Sequence, residues 1–124
     1  MRYFIVTMLF ALLTSCASLP SQQEAAAADY GTYPSNYEQV VKGYYDNTLK
    51  DPSSAQYRDI TLPKQFWLGD RFTGAHYGYL VCATLNAKNS YGAYIGFQTD
   101  GLLIHNGIVV QYVPKGAWFG RQVC

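Results

Sequence analysis

Two apolar alternations face each other across a polar break between Tyr77 and Phe97, and this pattern constrains the fold more than any other stretch. Tyr77, Tyr79, Val81, Ala83 and Leu85 recur at every second position, so extended backbone places them on one face. Ala93, Ile95 and Phe97 resume the same period after the break. Asn86-Ala87-Lys88-Asn89-Ser90 is poor in strand formers and rich in side chains that bond nearby backbone. The spacing predicts two antiparallel strands joined by that polar turn. Gly92 and Gly96 fall on the face opposite Ala93, Ile95 and Phe97, and strand glycines at matched parity predict a bulge or a close approach by another element. A purely structural hairpin accounts for the stretch. The sharper reading is a binding loop built from Asn86, Lys88, Asn89 and Tyr91, because loops carried on rigid strands often bear function.

The chain begins with one positive charge, Arg2, and an apolar run from Phe4 to Leu13. That run is short for a bilayer span and fits a secretory leader. It ends in Leu13-Thr14-Ser15-Cys16, which resembles the lipobox of bacterial lipoproteins: an aliphatic residue, two small residues, then cysteine. The resemblance implies removal of residues 1–15 as a signal peptide, diacylglycerol transfer to the Cys16 sulfur and acylation of the new amino group. Several acyl chains hold a protein on a membrane where one is marginal. Ala17, where an aspartate would signal inner-membrane retention, implies the outer membrane by the enterobacterial sorting rules that go with the resemblance.

Residues 16–33 read as a lipidated, flexible tether. They hold Ser, Gln, Pro20 and the tract Ala25-Ala26-Ala27-Ala28, with no strand or heptad pattern to bury and at most one transient helical turn. Residues 34–124 read as one small domain. Ser35-Asn36-Tyr37-Glu38 has the form of a capping box, and Tyr37, Val40, Val41 and Tyr44 make one helical stripe. Pro52 stops the helix by Asp51 and opens a short turn of its own. Tyr57 to Leu62 reads as the first strand. Lys64 to Ala75 reads as a short strand or lid-like loop that packs Phe66, Trp67 and Leu68 under the sheet. Asp100-Gly101 and Asn106-Gly107 are turn dipeptides that bracket Leu102–His105, and Ile108–Val113 is the last strand. After Pro114 comes a tail with Trp118 and Phe119 as apolar anchors. The fold class is therefore α+β: one N-terminal helix packed on an antiparallel sheet of four to five strands.

Removing the leader leaves 109 of the 124 residues and takes away one of the 9 basic side chains, which balances the 8 acidic ones. A neutral chain without a basic stripe argues against a nucleic-acid partner. Tyrosine occurs 12 times, which suits a small sheet with a thin core or a sugar-binding face. Two cysteines remain after Cys16. Cys82 and Cys124 read as a disulfide in an envelope compartment, with two free thiols as the alternative. A Cys–His nucleophile would need Cys82 beside His76 or His105. Neither histidine has the spacing of a metal ligand, and no phosphate loop or other cofactor signature is present. Asp59, Asp70 and Asp100 lie far apart in sequence, and the Asp-Gly turn accounts for Asp100.

Asp51-Pro52-Ser53-Ser54-Ala55-Gln56-Tyr57-Arg58 and Cys82, followed by Asn86-Ala87-Lys88-Asn89-Ser90-Tyr91-Gly92-Ala93-Tyr94-Ile95-Gly96-Phe97, resemble segments shared by small uncharacterised bacterial envelope and phage-borne proteins. The resemblance spans roughly residues 40–124 and implies a common domain without an activity. The functional expectation is a membrane-anchored, non-enzymatic binding or accessory module of the envelope, held by lipid on Cys16, with an envelope protein or peptidoglycan as partner. The alternative is a peptidoglycan- or glycan-directed enzyme or inhibitor that uses a Tyr-rich sheet face. A tyrosine-lined groove with two carboxylates about 5–10 Å apart would mark the enzyme.

Overall fold

The structure, a computed structural model, describes residues 18–124. The lipobox Leu13-Thr14-Ser15-Cys16 and the leader lie outside the described residues. In chain order the elements are helices Gln22–Ala27 (α1) and Tyr37–Thr48 (α2), then strands Gln56–Ile60 (β1), Lys64–Asp70 (β2), Gly74–Asn86 (β3), Gln98–His105 (β4), Ile108–Val113 (β5), Ala117–Trp118 (β6) and Arg121–Gln122 (β7). The class is α+β, with two helices where the sequence predicts one.

Strand β3 is the spine of a five-stranded antiparallel sheet. One edge of β3 pairs with β4, which pairs with β5. The other edge takes two short strands end to end: β2 against Gly74–Leu80 and β1 against Ala83–Asn86. Between them, Thr61 keeps the ladder bonded. Its N–H donates to the Cys82 carbonyl, and its hydroxyl accepts the Cys82 N–H. Lys64 to Ala75, expected as a short strand or lid, is thus the full strand β2, the turn after it and the first two residues of β3. Asp70 organises that turn by accepting the N–H groups of Phe72 and Thr73.

The partner of β3 is not the run Ala93–Phe97. Leu85 pairs with Gln98 and Tyr79 with Ile104, so residues 87–97 form an excursion joining two longer strands. Gly92 and Gly96 adopt φ of 75° and 100°, backbone that a strand cannot use, and Ala93, Ile95 and Phe97 are exposed. Asp100-Gly101 is likewise not a turn. Both residues are buried inside β4, opposite Ala83 and Cys82. Asn106-Gly107 does turn the chain, both with positive φ.

The two faces of the sheet are covered differently. Val81, Ala83 and Leu85 of β3 with Leu102 and Ile104 of β4 form one core with Val41 and Tyr45 of α2. Helix α2 begins one residue later than a capping box at Ser35 requires. Asn36 occupies the N-cap without a side-chain cap, and the Tyr37 N–H bonds the Pro34 carbonyl. Leu80 and Cys82 of β3, Leu68 and Phe66 of β2, and Leu103 and Val113 form the opposite core, closed by Trp118 and Val123. Cys82 and Cys124 are disulfide-bonded across this face, with Cα atoms 5.7 Å apart. Gly101 leaves the room: a Cβ there would lie 3.2 Å from the Cys124 sulfur.

The tail is a tiny hairpin, β6 to β7, whose turn residues Phe119 and Gly120 both have positive φ. Trp118 is the anchor, its indole N–H donating to the Gly69 carbonyl at 3.1 Å. Phe119 is not one, since it is 76% exposed at the turn. The segment before α2 also touches the sheet. Tyr30 meets Tyr77 and Tyr33 meets Tyr79 edge to face, and Thr32 donates to Asn106.

Candidate functional site

The excursion 87–97 is held by three contacts from the stretch 52–58. The turn Pro52–Ser54 presents Ser54, whose hydroxyl donates to the Asp51 carbonyl and accepts the Lys88 N–H at 2.8 Å. The Ser54 carbonyl accepts the Tyr94 hydroxyl at 2.9 Å. At the bulge in β1, Arg58 stacks its guanidinium 3.7 Å from the centre of the Phe97 ring. The stretches 51–58 and 86–97, singled out in the sequence by their resemblance, therefore pack on each other.

Within the excursion the predicted binding residues divide by task. The Asn86 side chain accepts the Gly96 N–H. Asn89 accepts the N–H groups of Tyr91 and Ala93, while its own N–H bonds the Ala93 carbonyl. Lys88 lies against the Tyr94 ring, its Nζ 5.4 Å from the centroid, and its backbone bridges to Tyr94. These three shape the loop. Tyr91 is different: it is 95% exposed and its ring packs on nothing described. Ile95, four residues further on, is 68% exposed. The result is a braced loop whose most exposed apolar side chains are Tyr91 and Ile95.

Beneath the loop lies a buried polar hub that the sequence reading assigned to a turn. Asp100 is 3% exposed and accepts four hydrogen bonds. The hydroxyls of Tyr45 and Tyr112 each donate to Oδ2 at 2.8 Å, while the Gln98 side chain at 2.6 Å and the Lys115 N–H at 2.9 Å donate to Oδ1. Neutral donors on all sides make burial of the carboxylate tolerable. Burial first, and then the Asp100 charge and hydrogen bond, push both tyrosine hydroxyls well above their ordinary pKa. They stay neutral donors. Tyr44 packs beside them. A cavity of about 150 Å³ separates this hub from Ile95 and Gly96 of the loop and Leu49 at the end of α2. The missed signal was the β-rich run Thr99 to Ile104 around the Asp-Gly pair, which outweighs a dipeptide preference once β3 offers a partner.

The remaining chemical residues do not converge. Cys82 is consumed in the disulfide, which overturns the Cys–His nucleophile reading. His105 donates through Nδ1 to the Tyr77 carbonyl at 2.8 Å, and its Nε2 stands 4.0 Å from Asp29. His76 contacts the Thr73 hydroxyl at 3.3 Å, but that hydroxyl donates to Asp70 at 2.6 Å. The same Thr73 bond, with the turn N–H groups, holds the Asp70 carboxyl below its ordinary pKa. Asp59 is exposed on β1. Among the described residues no three His, Cys, Asp or Glu side chains are grouped to hold a metal, and no helix is long and apolar enough to cross a membrane. The chain matches no family model, no curated protein and no solved structure.

Proposed function

We propose that this chain is an outer-membrane lipoprotein, anchored through Cys16, whose domain 34–124, led by α2, acts as a non-enzymatic binding module. The observation that carries the reading is the loop 87–97: Asn86 and Asn89 brace its backbone, the Tyr94 hydroxyl ties it to Ser54, and Tyr91 and Ile95 are left as its most exposed apolar side chains. A preorganised loop loses little conformational freedom on binding, and an exposed tyrosine adds contact area at low entropic cost. The glycan-directed alternative draws less support. The sheet tyrosines are covered, with Tyr112 packed against Tyr44 and Tyr45 of α2 and Tyr77 and Tyr79 against Tyr30 and Tyr33, and Asp100 is the one buried carboxylate among the described residues.

The test is site-specific photo-crosslinking in intact envelopes. A photoreactive residue at Tyr91 or Ile95 should give a discrete adduct, and one at exposed Gln122 should not. Cys16→Ser should abolish acylation, read by intact mass, and weaken the adduct. An absence of adducts at both loop positions sinks the binding-loop reading. An unacylated wild-type chain sinks the anchor.

A further inference from the structure

Strand β3 has two ends. Asn86 ends it at the loop 87–97, and Gly74 begins it at the turn after β2. A strand of this length sets the two ends about 40 Å apart. At the Gly74 end three apolar side chains are exposed around one groove: Phe72 at 91%, Phe119 at 76% and Leu19 at 53%. Each is there for a structural reason. Asp70 folds the turn that lifts Phe72 into solvent. The positive-φ pair Phe119-Gly120 forms the tip of the β6–β7 turn. Leu19 rests its methyl over Gly69, where a Cβ would lie 2.9 Å from it. Trp118 fastens the arrangement through Gly69 and meets Phe119 edge to face at 5.0 Å. Arg71 lines the same groove and Arg121 flanks the second turn, both exposed and without an ion-pair partner among the described residues. The Asp70 carboxylate, also at the groove, is occupied by its own turn.

We infer that this end of the domain docks on the bilayer surface, with Phe72, Phe119 and Leu19 entering the headgroup region and Arg71 and Arg121 meeting anionic phosphates. Aromatic and leucine side chains flanked by arginine are the composition that settles at a membrane interface. Position supplies the second argument. Leu19 is three residues from Cys16, so no more than about 10 Å of extended chain separates the patch from the proposed lipid. That step rests on the anchor reading. Two turn tips beside the attachment point convert a tether into an oriented mount, and the orientation directs the loop 87–97 away from the membrane.

The experiment uses the full chain, purified from envelopes and reconstituted into phosphatidylethanolamine vesicles containing about a quarter phosphatidylglycerol, with brominated acyl chains as quencher. Tryptophan is placed as a reporter by Phe72→Trp, Phe119→Trp or Tyr91→Trp in a Trp67→Phe background, and the emission of the Trp67→Phe parent, which keeps Trp118 alone, is subtracted from each. Intact mass establishes separately whether Cys16 carries lipid. Quenching at least about twofold stronger at 72 and 119 than at 91 supports docking. Equal quenching at all three positions in an acylated chain overturns docking and leaves the anchor standing. An unacylated chain removes the anchor, and the same comparison then decides docking alone: quenching at 72 and 119 keeps it, none overturns it. Phe72→Ser with Phe119→Ser, neither side chain being in the core, should erase the difference between Trp118 emission in brominated and in plain vesicles. Persistence of that difference would overturn docking through Phe72 and Phe119.

Discussion

Replacing Tyr45 by phenylalanine isolates one donor of the Asp100 hub without disturbing the packing of the ring. The ring is buried at 2% exposure and stays in contact with Tyr44, Tyr57 and Tyr112. Only the hydroxyl that donates to Asp100 Oδ2 at 2.8 Å is lost. A hydrogen bond to a charged group contributes about 1.5–3 kcal/mol, so the cost should be near 2 kcal/mol. For a domain of about a hundred residues that lowers the melting temperature by about 8–16 °C. Tyr112→Phe should cost a similar amount, because it removes the other donor to the same oxygen. Together the two substitutions leave Oδ2 with neither hydroxyl, so the double variant should lose about 1 kcal/mol more than the sum. The assay is urea denaturation followed by circular dichroism with the disulfide intact, checking that the slope with urea is unchanged. Single losses below about 0.5 kcal/mol, or strict additivity in the double variant, would refute the claim that the hub is a coupled load on one carboxylate.

Three further outcomes follow from the same geometry. Breaking the Cys82–Cys124 bridge, which spans 42 positions, should cost up to about 4 kcal/mol; Cys82→Ala, Cys124→Ala and the double variant should melt alike, and a double variant clearly worse than either single would contradict this. Because burial raises the folded-state pKa of Tyr45 and Tyr112, the unfolded chain loses those protons first; stability should be fully present below about pH 10 and fall as pH rises beyond it, with a smaller fall in Tyr45→Phe, measured by thermal melts at stepped pH. Asn89→Ala should remove two loop hydrogen bonds and speed amide exchange at Tyr91 and Ala93, whereas Tyr91→Ala should change stability by less than about 0.5 kcal/mol; equal effects would mean that Tyr91 also holds the loop.

The sequence by itself determined what is local. Period-two alternation made β3 a strand with Val81, Ala83 and Leu85 on one face, the helical stripe placed α2, Pro52 stopped it, and Asn106-Gly107 turned β4 into β5. The pairing of Cys82 with Cys124 was also legible, from cysteine arithmetic together with the envelope compartment that the lipobox resemblance implies. Tertiary structure decided which run pairs with β3. Ala93–Phe97 and Gln98–His105 both had strand character. The second prevailed because it extends the ladder from Leu85 to Tyr79 and buries Leu102, Leu103 and Ile104, which the shorter run cannot match. That choice moved Asp100 from a supposed turn to the centre of the core. Its neighbours Tyr45, Gln98, Tyr112 and Lys115 come from three different elements and the turn after β5, a convergence that no spacing within any one of them encodes. The same holds for the candidate site. Asn86, Lys88, Asn89 and Tyr91 were chosen by composition, and only the folded loop separates the three that bond inward from the one left facing outward, because backbone groups lifted off a sheet must find partners in the nearest side chains.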